Sequence, residues 1–206
     1  MKVGLDFDNT IVAYDQVFRS AAIGRGLIDD TTCAEKRAIR DHIRRLPDGE
    51  LSWQRLQGYV YGTGIVQASM FDGVDSFLRR CGREGCSVVI VSHKTEFGHH
   101  DAARINLRRA AVDWMTEHGF FGAEGYGIPV ENVYFEGTRS EKLVRISELG
   151  CTHFIDDLPE VLEDPAFPAC VRRILFSPGK IGERALPYVV CRTWRDVEEQ
   201  VFGGHR

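Results

Sequence analysis

The feature of this chain that most constrains its fold is a regular alternation of short apolar runs with longer amphipathic segments. Six runs, each bounded by polar or glycine-containing stretches, have the length of strands: residues 3–5, 87–91, 132–135, 153–155, 173–176 and 188–191. Most of them are rich in branched side chains. Near-continuous apolar runs of this length are typical of parallel strands that are buried on both faces of a sheet.

The segments between these runs have the periodicity of helices. Residues 74–81 place apolar side chains at positions 74, 77, 78 and 81, which lie on one helix face. Residues 101–117 and 142–149 show the same kind of spacing. Strands that alternate with helices in this way predict an α/β fold, with a Rossmann-like parallel sheet flanked by helices.

One interval, residues 13–73, interrupts the alternation because it contains no clear buried strand. It includes a helical stretch at 34–46, and a glycine-rich passage follows at 58–64. We interpret the interval as a small helical cap inserted after the first strand. The predicted domains are therefore an α/β core formed by residues 1–12 and 74–206, and a cap formed by the interval itself.

Two aspartates directly follow the first strand, in the sequence Asp6-Phe7-Asp8-Asn9-Thr10. Ligands of open α/β sheets bind at the carboxyl ends of the strands, so these acids lie where an active site would form. Residues 6 and 8 project to the same side of an extended chain, where they could hold a divalent cation. A carboxylate can also attack phosphorus and form an aspartyl-phosphate. The alternative interpretation is an acidic turn or helix N-cap.

Four further polar side chains could meet a phosphate group. Ser92 ends the run 87–91 and could donate from its hydroxyl and backbone amide, although serine often simply ends a strand. His93 and Lys94 follow it and are either substrate contacts or polar loop residues. Lys142, near the start of a predicted helix, could neutralise charge in a phosphate site, whereas a lysine in such a position is usually solvated.

A second pair of acids, Asp156 and Asp157, ends the apolar run 153–155. Magnesium prefers oxygen ligands, and its protein sites often combine one or two carboxylates with phosphate and water. Placed beside the first pair, these acids would complete a Mg²⁺ site together with Asp6 and Asp8. Asp157 could at the same time serve as a helix N-cap.

In this order, the four motifs resemble the haloacid dehalogenase (HAD) superfamily: DxDxT, a serine or threonine ending a strand, a lysine, and an acidic pair ending another strand. The match extends over residues 3–160. The resemblance implies a cap of the helical C1 type at 13–73. It also implies that Asp6 is the nucleophile and a metal ligand, and that Asp8 is the general acid/base and binds the metal through its backbone carbonyl. Ser92 and Lys142 would bind phosphate, together with Thr10, which would brace the loop. Asp156 would bind the metal, and Asp157 would bind it directly or through water.

The resemblance further implies a magnesium-dependent phosphatase that hydrolyses a small phosphate monoester through an aspartyl-phosphate. Cleavage of a phosphate ester requires a proton for the leaving alkoxide and then a base for the attacking water, and Asp8 could serve as both. A phosphomutase or phosphotransferase of the superfamily, which uses the same acid, is one alternative. A catalytically silent HAD-like partner protein is another. The expected cofactor is Mg²⁺, and the expected partner is a small phosphorylated molecule.

The substrate class stays open between a sugar phosphate and a nucleoside monophosphate. Residues 92–95 and 154–162 are loosely similar to HAD-like hydrolases of bacterial surface-polysaccharide gene clusters, which favours a sugar phosphate. Four arginines of the predicted cap could reach a second anionic group or could simply be solvated: Arg37, Arg40, Arg44 and Arg45.

Order, charge and composition argue against several other classes. In a signalling receiver domain the acidic pair comes first and a single phosphorylated aspartate follows, the reverse of the order here. The formal net charge of −4 disfavours a nucleic-acid binder, and no apolar run approaches the roughly 20 residues of a membrane span. The six cysteines form no CxxC pair and lack zinc spacing, so we expect buried free thiols. No targeting signal or membrane span is visible, so we expect a cytoplasmic protein.

Overall fold

The computed structural model describes residues 1–32, 35–99, 103–179 and 186–203. The chain divides into two compact units, which are described separately. The first unit comprises Met1–Val12, Met70–His93 and Gly119–Arg206. The second unit comprises Ala13–Ser69 and Lys94–His118.

The described residues form eight strands and eight α-helices. The strands are β1 (Lys2–Leu5), β2 (Val12–Ala13), β3 (Ser69–Met70), β4 (Ser87–His93), β5 (Val133–Glu136), β6 (His153–Asp156), β7 (Arg172–Phe176) and β8 (Val189–Cys191). The helices are α1 (Asp15–Gly24), α2 (Lys36–Ile43), α3 (Gly49–Tyr61), α4 (Val74–Arg83), α5 (Leu107–Glu117), α6 (Arg139–Glu148), α7 (Pro159–Leu162) and α8 (Trp194–Phe202).

The first unit contains a six-stranded sheet in the order β5-β4-β1-β6-β7-β8, and its neighbouring strands are parallel. Each of the six predicted strands is present, so the predicted Rossmann-like α/β fold is confirmed. The two-residue strands β2 and β3, which pair in a separate small sheet, carry too little pattern for prediction.

The first strand lies inside the sheet, with a neighbouring strand on each side. Gly4 pairs with Val89 of β4 on one side and with Phe154 of β6 on the other. A Cβ at Gly4 would lie 2.5 Å from a ring carbon of Phe154 and 3.0 Å from Sγ of Cys151. The absence of a side chain at this position therefore lets the aromatic ring of β6 pack directly against β1.

Side-chain caps explain two differences between predicted and observed helices. α6 begins three residues before the predicted segment 142–149, because Thr138 and Glu141 form a reciprocal capping box at its first turn. α5 begins at Leu107, six residues into the predicted segment 101–117, of which residues 101 and 102 lie outside the described residues. Asn106 caps it by accepting from the amide of Arg109 at 2.9 Å.

The second unit contains α1, α2, α3 and α5. Its core includes an aromatic cluster in which Phe18 stacks on Trp53 at 5.1 Å and meets Tyr61 edge-on at 5.6 Å. Tyr14 also meets Tyr61 edge-on, at 4.9 Å. The unit includes residues 94–118, which the sequence prediction had placed in the α/β core. The assignment of a cap function to this unit stays a prediction.

The cysteines of the described residues form no disulfide, as predicted: Cys81, Cys86, Cys151, Cys170 and Cys191 are free thiols. Cys33 lies outside the described residues. Three of the five are buried, and burial raises the pKa of the Cys81 thiol to about 12. The expected burial is wrong for Cys170, which is exposed, and for Cys86, which is half-buried. No described helix combines the length and the apolar character that crossing a membrane requires.

Candidate active site

The candidate site begins at the carboxyl ends of three neighbouring strands. β1 lies between β4 and β6, and Asp6 directly follows it. Asp156 is the last residue of β6, and Ser92 is the last but one of β4. The backbone amide of Asp6 donates to the carbonyl of Ile155 at 2.9 Å, so the pairing with β6 continues past the end of β1. The parallel register therefore brings three of the four motifs to one edge of the sheet.

Lys142 connects the remaining motif to the same edge. It is the fourth residue of α6, and its Nζ donates to Oδ1 of Asp6 at 2.6 Å and to Oδ2 of Asp156 at 2.7 Å. Lys142 is 1% exposed, Asp6 5% and Asp156 0%. The expectation that a lysine near a helix start is solvated is wrong here, because this side chain points into the core and meets two carboxylates there.

Burial and charge act in opposite directions on these groups. Removal from water alone would lower the pKa of the Lys142 ammonium group, but Asp156 and Asp6 together outweigh that effect and raise its pKa above the ordinary value. Burial raises the pKa of the Asp156 carboxyl group, and Lys142 opposes that change. With all three groups ionised, one ammonium stands against two carboxylates, so the cluster carries a net negative charge.

Asp157 adds a third carboxylate to the cluster. Asp6, Asp156 and Asp157 each offer one oxygen, and these oxygens all lie within 4.8 Å of one another. Within the described ranges, this is the group of three acidic, histidine or cysteine side chains that could hold a metal ion. Its donors are all oxygens, so the residues fit Mg²⁺ better than zinc, whose sites usually include nitrogen or sulfur. The resemblance assigns Asp8 to the metal through its backbone carbonyl, and that assignment stays a prediction.

The predicted N-cap role of Asp157 is wrong. The N-cap residue of α7 is Leu158, and it makes no side-chain capping hydrogen bond. Asp156 makes the local contact, since its Oδ1 accepts from the amide of Leu158 at 2.9 Å. That hydrogen bond, with the one from Lys142, fixes the orientation of the Asp156 carboxylate.

A tight turn at the end of β1 carries Asp8, which is half-buried. The carbonyl of Phe7 accepts from the amides of Ile11 and Val12 at 3.0 and 3.1 Å. The amide of Asn9 donates to the carbonyl of Val12 at 2.9 Å. Asn9 has a φ of 59°, in the left-handed region that asparagine adopts more readily than most residues. These bonds hold the backbone on both sides of Asp8.

Thr10 lies at the buried end of this turn. Its Oγ1 has no hydrogen-bond partner among the described residues, but its carbonyl accepts from Nε1 of Trp194 at 3.2 Å. The assignment of Thr10 to the phosphate-binding set stays a prediction. Trp194 was not predicted to act at the site. It lies 184 residues away in the chain, and no local pattern indicates its contact.

The last two residues of β4 and the residue that follows carry the remaining predicted side chains. Ser92 is 1% exposed, and its backbone pairs with Phe135 of β5. His93 is exposed, and its Nε2 lies 3.0 Å from the carbonyl of Gly137. Lys94 belongs to the second unit, where it is buried and its Nζ lies 4.9 Å from the ring centre of Tyr61. Substrate contact by His93 and Lys94 stays a prediction.

The fold resembles solved structures of HAD-like hydrolases over nearly its full length. A haloacid dehalogenase-like hydrolase from Streptococcus pneumoniae matches 97% of each chain with a TM-score of 0.59 and 14% identity. A predicted phosphoglycolate phosphatase from Haemophilus somnus matches 97% of this chain and 96% of its own, with a TM-score of 0.55 and 12% identity. The resemblance predicted from the motifs is thus confirmed in the fold.

Protein tyrosine kinase A of Mycobacterium tuberculosis has a similar structure, with a TM-score of 0.66, 14% identity, and 98% and 97% of the two chains covered. No family model and no curated protein matched the sequence. Because identities this low establish the fold alone, the chemistry must be argued from the side chains at the sheet edge.

Proposed function

We propose that this protein is a magnesium-dependent phosphohydrolase that cleaves a small phosphate monoester through an aspartyl-phosphate on Asp6. The observation that carries the proposal is the buried contact of Lys142 with both Asp6 and Asp156. A buried ammonium between two carboxylates costs desolvation free energy and is weak evidence of a purely stabilising role. An anionic reaction centre gives a reason for holding such charges together.

Asp6 is the proposed nucleophile. One of its carboxylate oxygens would attack phosphorus while the bond from phosphorus to the ester oxygen breaks. The leaving oxygen would take a proton from Asp8 and depart as an alcohol. Asp8, now ionised, would remove a proton from water, whose oxygen attacks the aspartyl-phosphate. This second step releases inorganic phosphate and returns Asp6 as a carboxylate and Asp8 as an acid.

Lys142, Ser92 and a bound Mg²⁺ would stabilise the negative charge of the phosphoryl group. Lys142 would neutralise negative charge on Asp6 and on the transferring group, which is the main requirement of phosphoryl transfer. Ser92 would donate from its hydroxyl and amide to a phosphate oxygen. Asp6, Asp156 and Asp157 would hold Mg²⁺. When bound, this ion supplies further neutralisation of the phosphate oxygens.

The proposed substrates are sugar phosphates and nucleoside monophosphates. The phosphatase named among the similar structures supports hydrolysis of a small phosphate ester. A protein named as a tyrosine kinase has a similar structure, so phosphate release by this protein must be measured directly. The second unit, as a cap, is the proposed location of substrate selection.

The test is phosphate release by purified protein from an aryl phosphate and from a panel of sugar phosphates and nucleoside monophosphates, with and without Mg²⁺. We expect magnesium-dependent release, and no release by Asp6→Asn. Mass spectrometry of an acid-quenched reaction should locate a phosphate adduct on Asp6. Absence of turnover on every substrate, or turnover that survives in Asp6→Asn, would refute the proposal.

A further inference from the structure

The C-terminal helix makes a direct contact with the turn that carries Asp8. Trp194, the first residue of α8, is 1% exposed and donates from Nε1 to the carbonyl of Thr10 at 3.2 Å. Both residues belong to the first unit. The contact joins the start of the sheet's last helix to the residue two positions after Asp8.

The indole ring of Trp194 is held on several sides. Its centre lies 5.0 Å from the ring centre of Phe77 and 5.5 Å from that of Phe176. Gly73 has a φ of 94°, and a Cβ there would lie 2.8 Å from Cβ of Trp194. Close packing on these sides restricts the ring to one orientation, so its N–H is a fixed donor.

The first turn of α8 is fixed independently of this packing. The hydroxyl of Thr193 accepts from the amide of Asp196 at 3.1 Å, and the Asp196 carboxylate accepts from the amide of Thr193 at 2.9 Å. This reciprocal capping box fixes the entry of the chain into the helix just before Trp194. The donor is therefore anchored through the backbone as well as through the ring.

The acceptor, the carbonyl of Thr10, lies at the buried end of the turn. Thr10 is 0% exposed, and its hydroxyl makes no hydrogen bond within the described residues. A buried carbonyl that loses its partner bears a desolvation cost, and the backbone around it moves to find another. The carbonyl of Phe7 holds the other end of the turn through the amides of Ile11 and Val12. Asp8 stands between these two anchor points.

We infer that Trp194 is a positioning residue, which holds the turn so that Asp8 reaches the leaving oxygen of the substrate. The inference rests on the proposed function, in which Asp8 is the proton donor. A general acid must come within about 2.6–3.2 Å of the atom it protonates. A displacement of roughly 1 Å in a catalytic group can lower a rate by about 10²-fold.

A positioning role and a packing role predict different kinetics. Loss of packing lowers stability and reduces turnover of all substrates alike. Misplacement of the acid affects esters with poor leaving groups most, because an acidic phenol departs with little help from a proton. The ratio of turnover on an aryl phosphate to turnover on an alkyl phosphate therefore separates the two roles.

The test variant is Trp194→Phe, which removes the N–H donor and keeps an aromatic ring in the core. Trp114→Phe is the matched control, because Trp114 is also 1% exposed and donates from Nε1 to a backbone carbonyl, that of Ala68, at 3.0 Å. Phe120→Leu is a packing control, since Phe120 is also fully buried in the first unit and packs edge-on against Tyr126 at 5.3 Å. Melting temperatures of all three variants show whether a change in kinetics merely follows a loss of stability.

We expect Trp194→Phe to lower kcat on the alkyl phosphate by about 10-fold or more beyond its effect on the aryl phosphate, with KM nearly unchanged. Trp114→Phe and Phe120→Leu should keep the wild-type ratio. An unchanged ratio in Trp194→Phe, or the same change in either control, would overturn the inference.

Hydrogen exchange distinguishes failure of this inference from failure of the proposed function. In Trp194→Phe, the amides of Ile11 and Val12 should exchange faster than in wild-type protein, whereas Trp114→Phe should leave them unchanged. Unchanged exchange shows that Trp194 does not hold the turn, whatever the enzyme does. Faster exchange in a protein that hydrolyses no phosphate ester removes the proposed function, and the positioning role with it.

Discussion

Lys142 and Asp156, both almost completely buried, are joined by an ion pair of 2.7 Å at the carboxyl end of β6. The Asp6 carboxylate lies 2.6 Å from the same ammonium group, so the three residues form a buried triad. Removal of one partner from a buried ion pair leaves an uncompensated charge, which typically costs about 3–5 kcal/mol. The triad therefore links the stability of the first unit to the groups proposed for catalysis.

Lys142→Met should be both destabilised and inactive. The substitution keeps the length of the side chain and leaves two buried carboxylates without their ammonium partner, so we expect the melting temperature to fall by on the order of 10 °C. Turnover should fall by roughly 10²-fold or more, as for loss of one preorganised charge-stabilising group. Lys142→Arg should restore little, because the planar guanidinium does not fit the space of a compact ammonium.

Lys2→Met is the matched control for that variant. Lys2 donates from Nζ to the carbonyl of Leu149 at 2.8 Å and meets no carboxylate in that contact. The Lys2→Met protein should lose far less stability than the Lys142→Met protein and should keep its activity. Near-normal turnover in folded Lys142→Met would show that the third motif has been misassigned, and Lys94 would then be the next candidate.

Chelation should abolish activity, and Mg²⁺ should restore it. The three carboxylates of the metal cluster repel one another without a cation, so Mg²⁺ should also raise the melting temperature of the wild-type protein. This rise should shrink in Asp157→Asn and stay unchanged in Asp113→Asn, an exposed acid that pairs with Arg109 at 2.8 Å. Calorimetric melting curves with and without Mg²⁺ measure this change in melting temperature independently of activity. Full activity in metal-stripped protein, or activity with zinc alone, would contradict the assignment.

Gly4→Ala should destabilise the centre of the sheet. The new methyl group would lie 2.5 Å from a ring carbon of Phe154, and that ring is fully buried and cannot move away easily. Overpacking of this kind typically costs about 1–3 kcal/mol. The control is Gly82→Ala in α4, where nothing lies within 4 Å of the added atom and where helix propensity predicts a gain of about 0.5–1 kcal/mol. Denaturant midpoints should move in opposite directions, and equal shifts would contradict the packing argument.

Much of the sheet could be predicted because a parallel strand buried on both faces is a continuous apolar run. The runs at 87–91 and 153–155 show this directly, and the acids after β1 and β6 could be placed at one edge once the strands were parallel. The burial of Lys142 could not be predicted from a helix start. Its partners come from residues 136 and 14 positions away, and only the tertiary fold brings them together.

The division of the chain into units was the least predictable part. The periodicity of residues 107–117 shows that one helix face is buried but not which elements cover it. In the structure α5 belongs to the second unit, together with the indole of Trp114 and the carbonyl of Ala68. The contact of Trp194 with Thr10 could not be predicted either. Its acceptor is a backbone carbonyl, which every residue has, so no residue type in the sequence indicates the contact.

The two acids that follow β1 should fail in different ways when each is changed to asparagine. Asp6→Asn removes the proposed nucleophile and one oxygen of the metal cluster, so turnover should be lost on every substrate. Asp8→Asn keeps the backbone of the turn and removes a proton donor, so its effect should depend on the leaving group. General acid catalysis contributes about 10²–10⁴-fold, which sets the expected loss on a sugar phosphate. On an aryl phosphate the first step needs little protonation, so kcat/KM, which reports the steps up to phenol release, should fall less there.

The control for both variants is Asp164→Asn, which alters an acid paired with Arg139 at 3.2 Å and should preserve activity. Rapid mixing with an aryl phosphate adds a second distinction. The Asp6→Asn protein has no carboxylate to phosphorylate at this position, whereas the Asp8→Asn protein should still form the aspartyl-phosphate on Asp6. The latter protein lacks the base for the attacking water, so the intermediate should accumulate and give a burst of phenol followed by slow turnover. Equal losses of kcat/KM on aryl and sugar phosphates, with no burst, would show that Asp8 is not the acid and base of this reaction.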